Sequence, residues 1–259
     1  MNALKIASNT EWEKWGQIDP LYAVASWDGK GKDGKGPWTE EEFYKLGQSD
    51  CKDFVEHWER YRVDRTSCLE IGCGAGRLTM HLSRYFQVVH AIDVSQGMID
   101  YAREHVLGPS VKFYLSDGLN IPLRDNSVSA VFSTHVFQHF DSLSHATAYF
   151  CEIYRVLTPG GSLMIHLPVY NWPTMPGVFD TLYSLRKYIE DIRAWVWRHL
   201  SELGILAPTM RSLKYPVSYL YNTLTKQGFT HIEISFFAVR SNGSVHPCVF
   251  ARKPVDKLG

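Results

Sequence analysis

The chain has no apolar run long enough to cross a bilayer; nowhere in its 259 residues do eighteen consecutive apolar side chains occur. Its opening segment, MNALKIASNTEWEKW, has neither a long apolar core nor a small-residue cleavage motif, so no secretory leader is expected. Net charge is missing too, with 27 Lys and Arg against 27 Asp and Glu. That balance removes the whole-chain attraction that nucleic acid or an anionic membrane would use. Cysteine is sparse. The five present, Cys51, Cys68, Cys73, Cys151 and Cys248, are an odd number without CxxC spacing. They suggest neither a disulfide framework nor a zinc motif, and they point to a reducing compartment. Repeats and low-complexity segments are also absent. The expectation is a soluble, cytoplasmic protein with a small-molecule partner, no nucleic acid, no membrane span and no metal. The length allows one substantial core with room for a cap or an insertion.

What is present begins at residue 69. LEIGCGAGRLT follows the short apolar run Ser67, Cys68, Leu69 and Ile71, which suits a buried strand, and Leu78, Met80, Leu82 and Phe86 then recur at roughly helical intervals. Gly72, Gly74 and Gly76 fall at the turn. Glycine there admits left-handed backbone angles and lets a ligand approach, and a helix N-terminus offers free N–H donors beside a positive partial charge. A glycine triplet alone can also be a packing device. About twenty residues on, however, the strand VVHAID ends in Asp93, positioned to accept hydrogen bonds from both hydroxyls of a ribose.

Dinucleotides and S-adenosylmethionine both fit that much. The spacing here is GxGxG with acidic Glu70 before it, whereas the dinucleotide fingerprint is GxGxxG and needs no acid at the strand end. A third strand in FYLSDGLNIPL, residues 113–123, ends at Asp117, a carboxylate able to accept from an adenine amino group. A fourth, VSAVFSTHVFQHF at 128–140, runs into a histidine-rich turn, and a helix then leads through EIYRVLTPGGSLMIHLPV at 152–169 to the fifth strand. In this order the blocks resemble the class I S-adenosylmethionine-dependent methyltransferases, especially the small-molecule branch of ubiquinone and menaquinone enzymes. The resemblance covers roughly residues 50–168. It implies an α/β, doubly wound, Rossmann-like fold with a seven-stranded sheet and a C-terminal antiparallel hairpin. It also implies a cofactor site made by Glu70, Gly72, Cys73, Gly74, Gly76, Asp93, Val94, Met98, Asp117, Gly118 and His135.

The flanking segments read differently. Residues 1–65 are expected to form a helical, aromatic-rich cap: WDGKGKDGKGPW at 27–38 reads as a mobile loop, Thr39 with Glu42 fits a capping box, and the stripe Phe43, Leu46, Phe54, Val55, Trp58 and Tyr61 suggests two short helices. Residues 66–259 would form the core, with a helical insertion at 170–215. Both additions can serve as packing or as lids, with Trp12, Trp15, Tyr22, Trp38 and Phe43 from the cap and Tyr170 and Trp172 from the insertion facing the acceptor. The tail reads as the helix SYLYNTLTKQGF followed by the strands HIEISFFAV and SVHPCVFARK.

Methyl transfer from a sulfonium has a leaving group that needs neither proton nor metal, so alignment and water exclusion dominate. A phenol, carboxylate or thiol acceptor also needs deprotonation. The candidates are His139, and then His135, after the fourth strand, with His166 at the end of the fifth further out. Either of the first two could instead only shape the pocket. The turn STHVFQHF lacks the Asn/Asp-Pro-Pro-aromatic motif of exocyclic amino methylation, and no cysteine stands where cytosine C5 chemistry needs one. Phe132, Phe137, Phe140, Tyr170 and Trp172 suggest an apolar or aromatic acceptor, although they could be mainly core. Three other readings remain: a protein or RNA methyltransferase, a nicotinamide oxidoreductase, and an inactive cofactor-binding module.

Overall fold

The computed structural model describes residues 6–170 and 212–255, with the isolated positions 192, 196 and 200. Trp172 and most of the expected insertion lie outside the described residues. The first elements are helices: α1 (Ala7–Ile18), α2 (Pro20–Val24) and α3 (Glu40–Glu59). β1 (Ser67–Ile71), α4 (Thr79–Leu82), β2 (Val88–Asp93), α5 (Gln96–His105), β3 (Val111–Leu115) and β4 (Val128–Ser133) follow. A 3-10 turn (Phe137–His139) leads to α6 (Leu143–Val156) and β5 (Leu157–His166). The chain then adds the two-residue strands β6 (Val169–Tyr170) and β7 (Tyr215–Pro216), α7 (Val217–Gln227), β8 (Thr230–Ala238) and β9 (Val245–Arg252).

Seven strands form one sheet in the order β3-β2-β1-β4-β5-β9-β8. β1 through β5 run parallel, and β9 pairs antiparallel with both β5 and β8. The expected doubly wound sheet and terminal hairpin are both present. The strand order reverses between β1 and β4, and in open α/β sheets ligands bind at such a switch point, beyond the carboxyl ends of the strands. β4 is buried along its whole length, as a central parallel strand covered on both faces should be.

The segment from 40 to 59 is one helix of twenty residues, where the sequence suggests two. Gly47 and Asp50 look like a break, but each answers a contact across the helix. A Cβ on Gly47 would sit 2.2 Å from the Arg77 carbonyl oxygen, and Asp50 takes the Arg77 guanidinium at 2.5 Å. The capping box at Thr39 and Glu42 forms as expected. Farther along α3, Phe54, Val55 and Trp58 enter one core cluster with Cys68, Leu82, Phe132 and Phe250, and the Trp58 indole N–H donates to Ser162 Oγ at 3.1 Å. The glycine-lysine loop, expected to be mobile, closes on itself: Gly36 N–H donates to the Gly29 carbonyl, Trp38 N–H to that of Lys30, and the Trp27 and Trp38 rings meet at a tilt, their centroids 5.2 Å apart. The two tryptophans supply apolar area that the polar sequence between them conceals.

Candidate active site

A cavity of about 630 Å³ lies over the switch point, within the roughly 300–1,000 Å³ usual for cofactor and ligand sites. Its floor is the β1 turn. Gly72 and Gly74 take left-handed angles, φ 74° and 52°, which side chains with a Cβ adopt at a cost. A Cβ on either would also run into Val136 or Val24, at 2.2 and 2.5 Å. Beside them Asp93 is buried, with Oδ2 accepting from Gly74 N–H at 2.8 Å and Oδ1 from Ser95 N–H at 3.0 Å. Burial pushes its carboxyl above the usual range, against those two donors. Each carboxylate oxygen has two lone pairs, so both keep capacity for a further donor from the cavity.

The other expected cofactor residues divide. Gly72, Gly74, Asp93, Val94, Met98, Gly118 and His135 line the cavity; Glu70, Cys73, Gly76 and Asp117 do not. Glu70 lies beneath the turn, accepting from Thr79 Oγ1 at 2.6 Å, and burial raises its carboxyl to about 8. Cys73 is buried among Ala91 and Ile99. Asp117 folds onto its own loop: Oδ1 accepts from the N–H groups of Leu119 and Asn120 at 2.8 and 2.7 Å, and Oδ2 accepts from the Asn120 amide at 2.7 Å. Burial alone would raise its carboxyl, but those donors outweigh it and hold it low. Arg155 pins the same loop by donating to the carbonyls of Ile121 and Leu123.

The turn after β4 sends its two histidines different ways. His135 takes φ 59° and faces His166 and His246, with ring centroids 4.3 and 5.1 Å away. Burial depresses its imidazole well below the ordinary value, and the neighbouring His166 and His246 add to this. His139 ends the 3-10 turn, packed edge-on against Trp12 at 4.8 Å, with its Nε2 3.1 Å from the Gln138 amide nitrogen. Both histidines line the cavity, as do His166, His246 and the buried Asp50–Arg77 pair. Sequence reading missed Asp50, Arg77, His246 and Thr134. Arg77 and Thr134 stand inside the quoted glycine and histidine turns and Asp50 and His246 outside them, and only their meeting in space marks all four. Thr134 Oγ1 is buried in the cavity wall with no hydrogen-bond partner among the described residues, a polar atom awaiting one.

α1 closes the cavity from above. Ser8, Asn9 and Trp12 line it. The helix has no side-chain cap of its own; instead the Asp141 carboxylate accepts from Ala7 and Ser8 N–H at 3.0 and 3.2 Å, an anion at a helix N-terminus. Asn9 Nδ2 donates to the Asp117 carbonyl at 2.8 Å, and Glu13 accepts from Gln96 N–H at 2.7 Å. Of the aromatic residues expected to face the acceptor, Trp15, Tyr22 and Trp38 lie behind the cavity in a cluster with Phe43, Ala75 and Met98. Trp12 and Trp27 face it. Tyr170 sits in β6, paired with β7. Phe132 and Phe137 are core residues, whereas Phe140 lines the cavity. Asp141→Ala should loosen α1 by a cap's worth, making its amides exchange about fivefold faster, as hydrogen exchange would show. Unchanged exchange would mean that Trp12, Asn9 and Glu13 hold the helix without the cap.

Residues 69–165 match the family model described as a methyltransferase domain. The chain is 36% identical over 178 residues to a malonyl-acyl carrier protein O-methyltransferase of Yersinia pestis, covering 69% of this chain and 61% of that protein. Thus it spans less than two thirds of that relative's length. Among solved structures it is similar to a magnesium protoporphyrin IX methyltransferase from Synechocystis PCC 6803 with bound SAH (TM-score 0.55, 17% identical, 94% of each chain). It is also similar to a 4+2 cyclase (TM-score 0.59, 19% identical, 98% of each chain). Among the described residues, no helix is long and apolar enough to cross a membrane. Residues 69–165 therefore match a methyltransferase domain, and the seven-stranded sheet has the fold of the solved methyltransferase it resembles.

Proposed function

We propose that this protein methylates a small-molecule acceptor with S-adenosylmethionine. The observation that carries this is one continuous cavity with two unlike ends. Over β1, β2 and β3 it offers the glycine turn, Asp93, Met98 and Gly118; over β4, β5 and β9 it offers histidines. The first end fits the cofactor, since Asp93 keeps acceptor capacity for a ribose diol, Met98 gives an apolar flank, and Thr134 Oγ1 is a buried group still lacking a partner. When bound, the cofactor supplies a methyl group on a positively charged sulfur. The chain's own work is to hold the acceptor in line with that methyl, exclude water by seating α1, and take a proton where the acceptor carries one.

In this reading Glu70, Cys73 and Gly76 shape the turn from behind, and Asp117 contributes through its loop backbone. His139 is the base, and His135 stands with the histidines at the acceptor end. Enclosure under α1 and a neutral net charge favour a small acceptor over RNA or protein. A cytoplasmic location, the cap at 1–65 and the insertion at 170–215 as a lid belong to the same proposal. S-adenosylhomocysteine at 100 times its dissociation constant should stabilise the protein by about 2.7 kcal/mol in thermal unfolding, and NAD should leave it unmoved. Stabilisation by NAD alone would replace this reading with a nicotinamide enzyme.

A further inference from the structure

Three histidines from three strand ends meet on the acceptor side of the cavity. His135 follows β4, His166 ends β5 and His246 lies at the start of β9. One ring nitrogen of each lies within 4.8 Å of those of the other two. The sheet makes this meeting. β4 and β5 are parallel neighbours, and the antiparallel pairing of His166 with Cys248 brings the beginning of β9 to the carboxyl end of β5. His135 reaches the group only by adopting a left-handed backbone, a conformation uncommon for a residue with a Cβ and concentrated at functional sites.

Among the described residues none of the three pairs with a carboxylate. The nearby Asp50 is taken by Arg77 and by Ser241 Oγ. His246 Nδ1 is buried with no hydrogen-bond partner among the described residues. His166 Nδ1 accepts only a long hydrogen bond, 3.2 Å, from the His135 amide. Three imidazoles packed together in the cavity wall, none bonded to a carboxylate among the described residues, leave lone pairs unused. Packing alone does not account for that arrangement, because an apolar side chain would fill the space without the cost of burying polar nitrogens.

We propose that His135, His166 and His246 form a three-histidine site for a divalent transition-metal cation of the zinc type, with one coordination position open to the cavity. Imidazole nitrogen suits zinc, cobalt, nickel and iron. Three protein ligands with a vacant fourth position is the pattern of a reactive site, whereas a structural zinc site is closed by four. Metal–nitrogen distances of about 2.0–2.1 Å in a tetrahedron place ligand nitrogens roughly 3.4 Å apart, so the cluster has to draw in by side-chain rotation. The cost to His166 is small. Binding through Nδ1 displaces the hydrogen bond from the His135 amide, and binding through Nε2 requires the tautomer that cannot accept it; either way one long bond is lost.

Three neutral ligands leave both charges of the cation uncompensated, so the open position favours an anionic or ionisable oxygen. This names the acceptor class, a small molecule presenting a carboxylate, phenol or comparable oxygen to the end of the cavity away from Asp93. That role rests on the methyl-transfer reading, while the metal site itself does not.

The test is cobalt titration of the full chain after chelator treatment and dialysis, read by visible absorption and by the zinc needed to displace it. One Co²⁺ per chain with the strong bands of low-symmetry coordination is expected. His246→Ala and His166→Gln should each weaken binding by more than the roughly 10–100-fold typical of losing an outer-shell partner, and His231→Ala, on the exposed start of β8, should not. A protein without a stoichiometric cobalt band, or variants that bind cobalt as tightly as the parent, would overturn the site. If a variant fails to fold, the parent spectrum decides. S-adenosylhomocysteine binding measured in parallel separates the two readings: binding without cobalt overturns the metal site alone, and cobalt without binding upholds the site and overturns methyl transfer.

Discussion

His139→Ala should lower turnover by about 10² to 10⁴ while leaving cofactor affinity nearly intact, the range expected for removing a general base. The geometry explains why the effect falls on the chemical step. His139 ends the 3-10 turn after β4 and lines the cavity, outside the glycine turn proposed to hold the cofactor. In the closed site its Nε2 lies 3.1 Å from the Gln138 amide nitrogen, so with the ring proton on Nδ1 that lone pair is held by the neighbouring residue. An acceptor hydroxyl entering the cavity would replace Gln138 at the same nitrogen. Raising the pH should partly restore the rate of the variant for a phenol-like acceptor, since solvent then takes the proton that His139 took. Loss of cofactor affinity together with turnover, and no recovery at high pH, would show instead that His139 builds the pocket against Trp12 and that the acceptor arrives already nucleophilic.

Asp93→Ala should raise the dissociation constant of S-adenosylmethionine at least about tenfold. Hydrogen bonds to a charged acceptor are each worth roughly 1.5 to 3 kcal/mol, and a ribose diol makes two. The same carboxylate holds the N–H groups of Gly74 and Ser95, so the substitution also leaves two buried donors unpaired and the turn itself should loosen. Isothermal titration of the cofactor, with thermal unfolding of the ligand-free variant beside it, separates the two losses. A folded Asp93→Ala protein that binds as tightly as the parent would sink the ribose assignment.

What was legible in the sequence was whatever a local pattern can carry. β1, the glycine turn and Asp93 at the end of β2 lie between residues 67 and 93, and their apolar runs and glycines need no distant partner to be read. The Thr39 capping box and the terminal hairpin are local in the same sense. The rest depends on contacts between residues that the local pattern does not link. α3 reads as two helices until Arg77, thirty residues away, explains Gly47 and Asp50. Asp117 and Asp93 both end strands in the sequence, but only the structure shows that Asp117 is taken up by Leu119 and Asn120. Which tryptophans face the cavity is set by the phase of α1, where Trp12 and Trp15 lie three residues apart and still part company, one against His139 and one against Met98. The three-histidine meeting was beyond any spacing rule, because its members come from separate strands joined by an antiparallel register.

The way α1 is fastened bears on the rhythm of the reaction. Asn9 is tied at the Gly118 end of the cavity and Trp12 rests on His139 at the other, so one rigid helix covers both compartments. A lift of α1 uncovers both at once. On the methyl-transfer reading, a spent cofactor leaves as α1 lifts, and the same movement uncovers the product. Each opening then delivers one methyl, and an acceptor with several methylatable atoms would be set free between transfers, making the enzyme distributive.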